Sequence, residues 1–264
     1  MVALETDAGP VALQITQDHL PHTPWADPAL ARMPGMRPVE GSWIVVDEAY
    51  AAQMAERARL MRDRRGAVEA ILPAAEAALD ELKALALDAL PDGFGRESGA
   101  IRTPDGRRVD PSGAPFDVLG ALLQEDLLIL ERRGDEHVLT AGLLCFPAHW
   151  TLAEKIGRPL RRIHRPVPEY DDGIALRVQR LFDRVPPGRA MWRANVLAHS
   201  EAVLHRPKPE DTPREGRETA RFVRSERQTV LRLPSSGAVL FAIHTWIVPL
   251  EKLTPDQRVG CPLL

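Results

Sequence analysis

The sequence predicts an α+β fold in which helices precede an antiparallel sheet, and three observations carry that expectation. An apolar stripe at helical spacing, Ala75, Leu79, Leu82, Ala86 and Leu90, follows Pro73, which suits a first helical turn. Two strand-like segments, Thr229 to Leu233 and Ala238 to Leu250, flank Pro234-Ser235-Ser236-Gly237, the arrangement of an antiparallel hairpin. Between helical and strand signals, the stretch from Pro91 to Pro115 holds two Pro-Asp-Gly turns and reads as a loop with one short hairpin separating the layers.

The remaining elements fall around these. Residues 19–43, with His22, Trp25, Pro34, Gly35, Pro38 and Trp43, read as an irregular arm whose tryptophans anchor it to a core. Asp47 is placed to cap a helix that puts Tyr50, Met54, Arg57 and Met61 on one face. Phe116, Leu119, Leu123 and Leu127 suggest a further helix, Glu136 to Phe146 a strand, and Trp192 to Ala198 another. The polar segment Arg206 to Glu218 reads as a loop insertion before the hairpin. The chain thus divides into residues 1–115, an arm, helices and loop packing on the core, and residues 116–264, the core itself, as one continuous unit.

Composition narrows the function classes. At 264 residues with 44% hydrophobic content the chain can bury a sizeable core. Lysine and arginine total 34 against 37 acids, a net charge of −3, so no global positive field points to nucleic acid. Cys145 and Cys261 lie far apart, in no Cys-x-x-Cys or Cys/His cluster, which excludes a disulfide framework or a zinc site and fits a reducing compartment. The amino terminus lacks a basic segment leading into an apolar one, and no run approaches the roughly 20 apolar residues that span a bilayer. A cytoplasmic protein that contacts neither membrane nor nucleic acid is the expectation.

The most informative stretch runs from Cys145 to Tyr170. His164 stands there between Arg158, Arg161, Arg162 and Arg165 on one side and Pro166-Val167-Pro168 on the other. The prolines restrain the backbone and the arginines suit anionic groups, a combination that fits a haem pocket.

Several short segments, in this order and spacing, resemble the family of the haem-dependent oxidative N-demethylase α subunit. They are Pro34-Gly35-Met36 with Trp43, Gln124-Glu125-Asp126-Leu127, Cys145-Phe146-Pro147 with Trp150, and Lys155-Ile156-Gly157. Ile163-His164 with Pro166-Val167-Pro168, Arg193-Ala194-Asn195, Arg224-Ser225-Glu226-Arg227-Gln228, Leu233-Pro234 and Phe241-Ala242-Ile243 complete the set. The resemblance implies a PAS-like antiparallel sheet flanked by helices, with an N-terminal helical extension, holding b-type haem. It further implies that dioxygen is activated at the haem and that a small secondary amine is oxidised to a lower amine and formaldehyde. Electrons would come from separate partner subunits carrying flavin and an iron–sulfur cluster, since this chain has neither a cysteine set for a cluster nor a Gly-x-Gly-x-x-Gly after a strand.

Residue roles follow on that resemblance. His164 is the expected iron ligand, a neutral imidazole that leaves the opposite face open for dioxygen, with His149, His199, His205 and above all His244 as rivals. Arg161, Arg162, Arg165 and Arg224 are candidates for holding the cofactor, the first three by pairing with the haem propionates, against the alternative of a solvated basic turn. Glu226 and Glu201 are the candidate acceptors for an alkylammonium substrate. Arg193 alternates with Asn195 onto one strand face, where it polarises dioxygen or satisfies buried backbone groups. Two other functions share the fold: a non-catalytic haem PAS-type gas or redox sensor, and a haem-free small-molecule-binding module.

Overall fold

The structure is a computed structural model that describes residues 14–30, 34–165, 172–210, 212 and 219–264. Pro166-Val167-Pro168 and Tyr170 lie outside the described residues, as do positions 211 and 213–218 of the expected loop insertion.

A seven-stranded antiparallel sheet organises the chain, as an α+β fold requires. Its strands are β1 (Arg37–Pro38), β2 (Glu69–Ile71), β6 (Asp126–Arg133), β7 (Glu136–Leu143), β8 (Met191–His199), β9 (Phe222–Arg232) and β10 (Val239–Pro249), in the order β1-β8-β9-β10-β6-β7-β2. A separate three-stranded sheet comprises β3 (Gly95–Glu97), β4 (Ala100–Arg102) and β5 (Arg108–Val109). The helices are α1 (Tyr50–Asp63), α2 (Arg65–Val68), α3 (Glu76–Asp88), α4 (Pro115–Leu122), α5 (Leu152–Lys155), α6 (Leu160–Ile163), α7 (Asp172–Arg184) and α8 (Pro255–Arg258).

The two sheet faces are covered by different parts of the chain. On one, Leu127, Ile129, Leu231, Leu240 and Ala242 pack against Leu60, Leu79, Leu82, Phe116 and Leu119 from α1, α3 and α4. On the other, Leu128, Leu130, Val230, Val239 and Ile243 meet Leu152, Leu160, Val178 and Phe182 from α5, α6 and α7. Because side chains alternate along a strand, β6 reads as an unbroken apolar run, Leu127 to Leu130, with both faces buried. Gly142 in β7 is small for the same reason, since a Cβ there would stand 2.8 Å from Leu152 and 2.9 Å from Leu128.

The β9–β10 hairpin closes as its turn residues predict. Gly237 takes φ +70°, Leu233 N–H donates to Ala238 O at 2.8 Å, and the N–H groups of Ser235 and Ser236 donate to the Glu81 carboxylate of α3 at 2.5 and 2.8 Å. The turn thereby ties the sheet to the helical layer. Both sheet edges come from the first 115 residues, β1 pairing with β8 and β2 with β7.

Four expectations are corrected. The helix expected through Phe116, Leu119, Leu123 and Leu127 ends at Leu122, and Leu127 already belongs to β6, whose apolar residues also matched helical spacing. Asp47 is not the N-cap of α1; Ala49 is, with its N–H bonded to Asp47 Oδ1 at 3.0 Å. The loop from Pro91 to Pro115 carries three strands instead of one hairpin, and β9 starts at Phe222, seven residues before Thr229.

Candidate functional site

Strands β8 and β9 build a polar wall. Their register sets Arg193 opposite Gln228 and Asn195 opposite Glu226, and these residues share the face on which Val230 and Ile243 meet α5 to α7. Arg193 Nη1 donates to Gln228 Oε1 at 3.0 Å. Asn195 Nδ2 donates to Glu226 Oε2 at 3.0 Å, while Asn195 Oδ1 accepts the Glu226 N–H at 3.1 Å. Arg224 Nε donates to Glu226 Oε1 at 3.1 Å. Glu226 is therefore a charged acceptor with a fixed orientation. Arg193 is half-buried, its buried Nε has no partner among the described residues, and burial pulls its pKa down.

His164 caps the C-terminal end of α6, which packs through Leu160 and Ile163 on the same face of the sheet. Its Nδ1 lies 2.9 Å from Leu160 O; a carbonyl only accepts, so Nδ1 carries a proton. Burial pushes its pKa down, the Leu160 carbonyl opposes that, and the nearby Lys155 charge pushes it further down. Burial and the Lys155 charge thus favour the neutral imidazole.

The rival histidines are differently engaged. His244 uses both ring nitrogens, Nδ1 to Glu125 Oε1 and Nε2 to Asp47 Oδ2, each at 3.1 Å, so it has no lone pair for iron. Burial alone would lower its pKa, but the hydrogen bonds to Asp47 and Glu125 outweigh it and raise the imidazole to about 9. His205 Nδ1 donates to Cys145 O at 2.8 Å. His199 is buried at the end of β8, its ring 5.5 Å from that of His149, whose backbone takes a left-handed φ of +64°.

The expected arginines and acids separate into three groups. Arg193, Arg224 and Glu226 are brought together in the wall, with Arg224 fully buried and its Nη1 and Nη2 donating to the carbonyls of Leu204 and Phe146. Arg161, Arg162 and Arg165 lie beside His164, where Arg161 pairs with Asp172 and Arg162 with Glu210. Glu201 stands apart on an exposed hollow with Ser200, Thr219 and Arg221.

Sequence reading missed a buried polar lattice. Asp126 accepts from Arg57 Nη2 at 3.0 Å and from the N–H groups of Cys145 and Phe146 at 2.8 Å each. Gln124 binds Asp47 and Gln53, and Glu125 accepts the Val45 N–H at 2.8 Å. The available signal was three consecutive polar residues abutting the apolar run of β6. Glu210, 55 residues from Lys155, left no such trace.

The sequence pattern of the family described as "Haem-dependent oxidative N-demethylase, alpha subunit-like" matches residues 36–264. The chain belongs to that family. As a member of the haem-dependent oxidative N-demethylase α-subunit-like family it is expected to use haem, and the residues present fit that group. His164 has its Nδ1 proton engaged with Leu160 O, and Arg193 offers an unsatisfied buried donor on the β8–β9 wall. No cluster of three or more His, Cys, Asp or Glu side chains suited to a metal exists among the described residues. Among those residues no helix is long and apolar enough to cross a membrane.

Proposed function

We propose that this chain is the haem-carrying catalytic subunit of an oxidative N-demethylase, acting on a small secondary amine with dioxygen and with electrons from separate flavin and iron–sulfur subunits. The observation that carries the reading is the oriented Glu226 carboxylate on the sheet face that α6, with His164 at its end, covers. Such a carboxylate suits an alkylammonium, and the adjoining Arg193 guanidinium suits a developing negative charge. Bound haem, of the b type and with a PAS-like sheet as its platform, would supply the iron at which dioxygen is activated.

The chain's own residues would do the rest. His164 would hold the iron through Nε2, with its Nδ1 proton committed to Leu160 O. Glu226 would accept the amine N–H, its orientation fixed by Asn195 and Arg224. Arg165 lies exposed beside His164, and Arg161 would exchange its Asp172 partner for a propionate, while Arg162 keeps Glu210. The antiparallel order of the long strands, second, first, fifth, fourth, third, supports the PAS-like reading.

The test is the visible spectrum of the haem-loaded chain in ferric, reduced and carbon-monoxide-bound states, followed by aerobic turnover with a secondary amine, a chemical reductant and a formaldehyde assay. A stoichiometric Soret band, its loss in His164→Ala and formaldehyde release are expected. A haem complex without turnover would make this a sensor, and no haem complex would make it a haem-free binding module.

A further inference from the structure

Lys155, the last residue of α5, is nearly buried, its side chain 5% exposed. A buried ammonium is unfavourable unless it is paired and hydrogen-bonded. Here Nζ donates to Ile163 O at 2.7 Å and to Glu210 Oε1 at 2.5 Å. Glu210, 8% exposed, also accepts from Arg162 Nη1 at 3.0 and 3.1 Å, and its own N–H reaches Glu154 Oε1 at 3.3 Å. Hydrogen bonds from Arg162 and then Lys155 hold its carboxyl at about 2, so Glu210 stays a carboxylate.

The geometry around His164 gives this cluster a specific consequence. The Ile163 carbonyl and the His164 N–H belong to one planar peptide unit. The N–H donates to Leu160 O at 3.1 Å and the carbonyl accepts from Lys155, so that unit is held at both ends. The imidazole adds its own bond to Leu160 O. A neutral side chain of similar length would fill the same space without placing a charge there.

We propose that Lys155, clamped by Glu210 and Arg162, is a positioning residue for His164: it fixes the peptide that carries the imidazole and places its ammonium beside it. This inference rests on the reading of His164 as haem ligand. It also gives the Lys155-Ile156-Gly157 segment a role, since Gly157, at φ +72°, turns the chain from α5 back onto β7 through its N–H to Leu139 O at 2.8 Å.

A charge beside an axial ligand favours the less positive, ferrous state of the iron. In the haem-loaded full chain, Lys155→Met is expected to shift the ferric/ferrous equilibrium about tenfold toward ferric, 59 mV for a one-electron couple. Glu210→Gln removes the compensating negative charge and is expected to shift it the other way. Lys155→Arg, which keeps the charge, restores the potential. Haem transfer to apomyoglobin is expected to be at least tenfold faster in Lys155→Met. Opposite signs for the two neutralising variants are a signature that loss of packing would not produce.

His164→Ala serves as the control on the underlying reading: a native Soret band in that variant overturns the ligand assignment itself. If His164→Ala loses the band while Lys155→Met and Glu210→Gln keep the wild-type potential and haem release rate, the positioning role is overturned. Should Lys155→Met not fold by circular dichroism, Glu210→Gln decides alone, an unchanged potential being the refuting result.

Discussion

His244 makes the stability of this protein depend on pH in a direction that can be worked out. The imidazole is buried between Asp47 and Glu125 and packs on Trp246 with ring centroids 4.2 Å apart. It loses its proton near 6.5 in the unfolded chain and near about 9 in the folded one. A raised folded-state pKa contributes stability that is complete below pH 6.5 and disappears as pH rises through 9. At 1.36 kcal/mol per tenfold difference in proton affinity, the contribution is roughly 3 kcal/mol. Asp47 acts oppositely: burial raises its pKa, but hydrogen bonds from His244, Gln124 and Gln17 outweigh burial and lower it, so its contribution is lost on acidification. Urea unfolding at pH 6, 7, 8, 9 and 9.5 should show wild-type stability falling by roughly 3 kcal/mol from the first pH to the last. His244→Gln leaves two buried carboxylates facing one another, should cost about 3–5 kcal/mol at pH 6, and should abolish the alkaline slope. A wild-type stability that is flat from pH 6.5 to 9.5, or a slope retained in His244→Gln, would refute the buried imidazolium.

Other perturbations have equally definite outcomes. Asp126→Asn leaves the fully buried Arg57 without its charge partner and should lower stability by about 3–5 kcal/mol in chemical denaturation. Gly142→Ala forces a Cβ against Leu152 and Leu128 and should cost about 1–3 kcal/mol, whereas Gly120→Ala meets chiefly the flexible Met61 side chain and should cost less. Burial pushes the Cys145 thiol up to about 12, so it should resist iodoacetamide in the native protein at pH 8 and react once unfolded, as peptide mass mapping would show. Glu226→Gln should weaken the amine-induced Soret shift at least tenfold; an unchanged shift would move the cation acceptor elsewhere in the wall.

Fold and site were legible to different depths because different physics wrote them. The α3 stripe and the β9–β10 hairpin announced themselves through periodicity and turn chemistry, which are local. β6 did not, since a strand buried on both faces shows neither alternation nor helical phase, and Leu127 fitted the helix before it equally well. β2 is three residues long, and α7 buries only Val178 and Phe182 among charged neighbours, so both fell below the signal. The Arg193, Asn195 and Glu226 wall followed from the period of two along each strand, but the pairing of Asn195 with Glu226 needed the register between strands. The Lys155–Glu210 contact joins segments 55 residues apart, and nothing local encodes it.

The scattered segments that carry the family resemblance converge physically on one turn. As the chain leaves β7 at Cys145-Phe146-Pro147 on its way to α5, its buried peptide groups need partners. Asp126 supplies acceptors for the N–H groups of Cys145 and Phe146, and the carbonyls of those residues accept from His205 and Arg224. Pro147 O accepts the Arg206 N–H at 3.1 Å. The two charged partners are themselves tied, Asp126 to Arg57 and Arg224 to Glu226. The turn is thus bolted to β6 on one side and to β9 on the other, and the short helices that end at His164 start from a point that cannot drift relative to Glu226. A site divided between a helical turn and a sheet requires such a joint, because proximity and orientation are lost with displacements of about 1 Å. Arg224, a cofactor-binding candidate from sequence, thus also joins this turn to β9, donating to the Phe146 carbonyl and to Glu226.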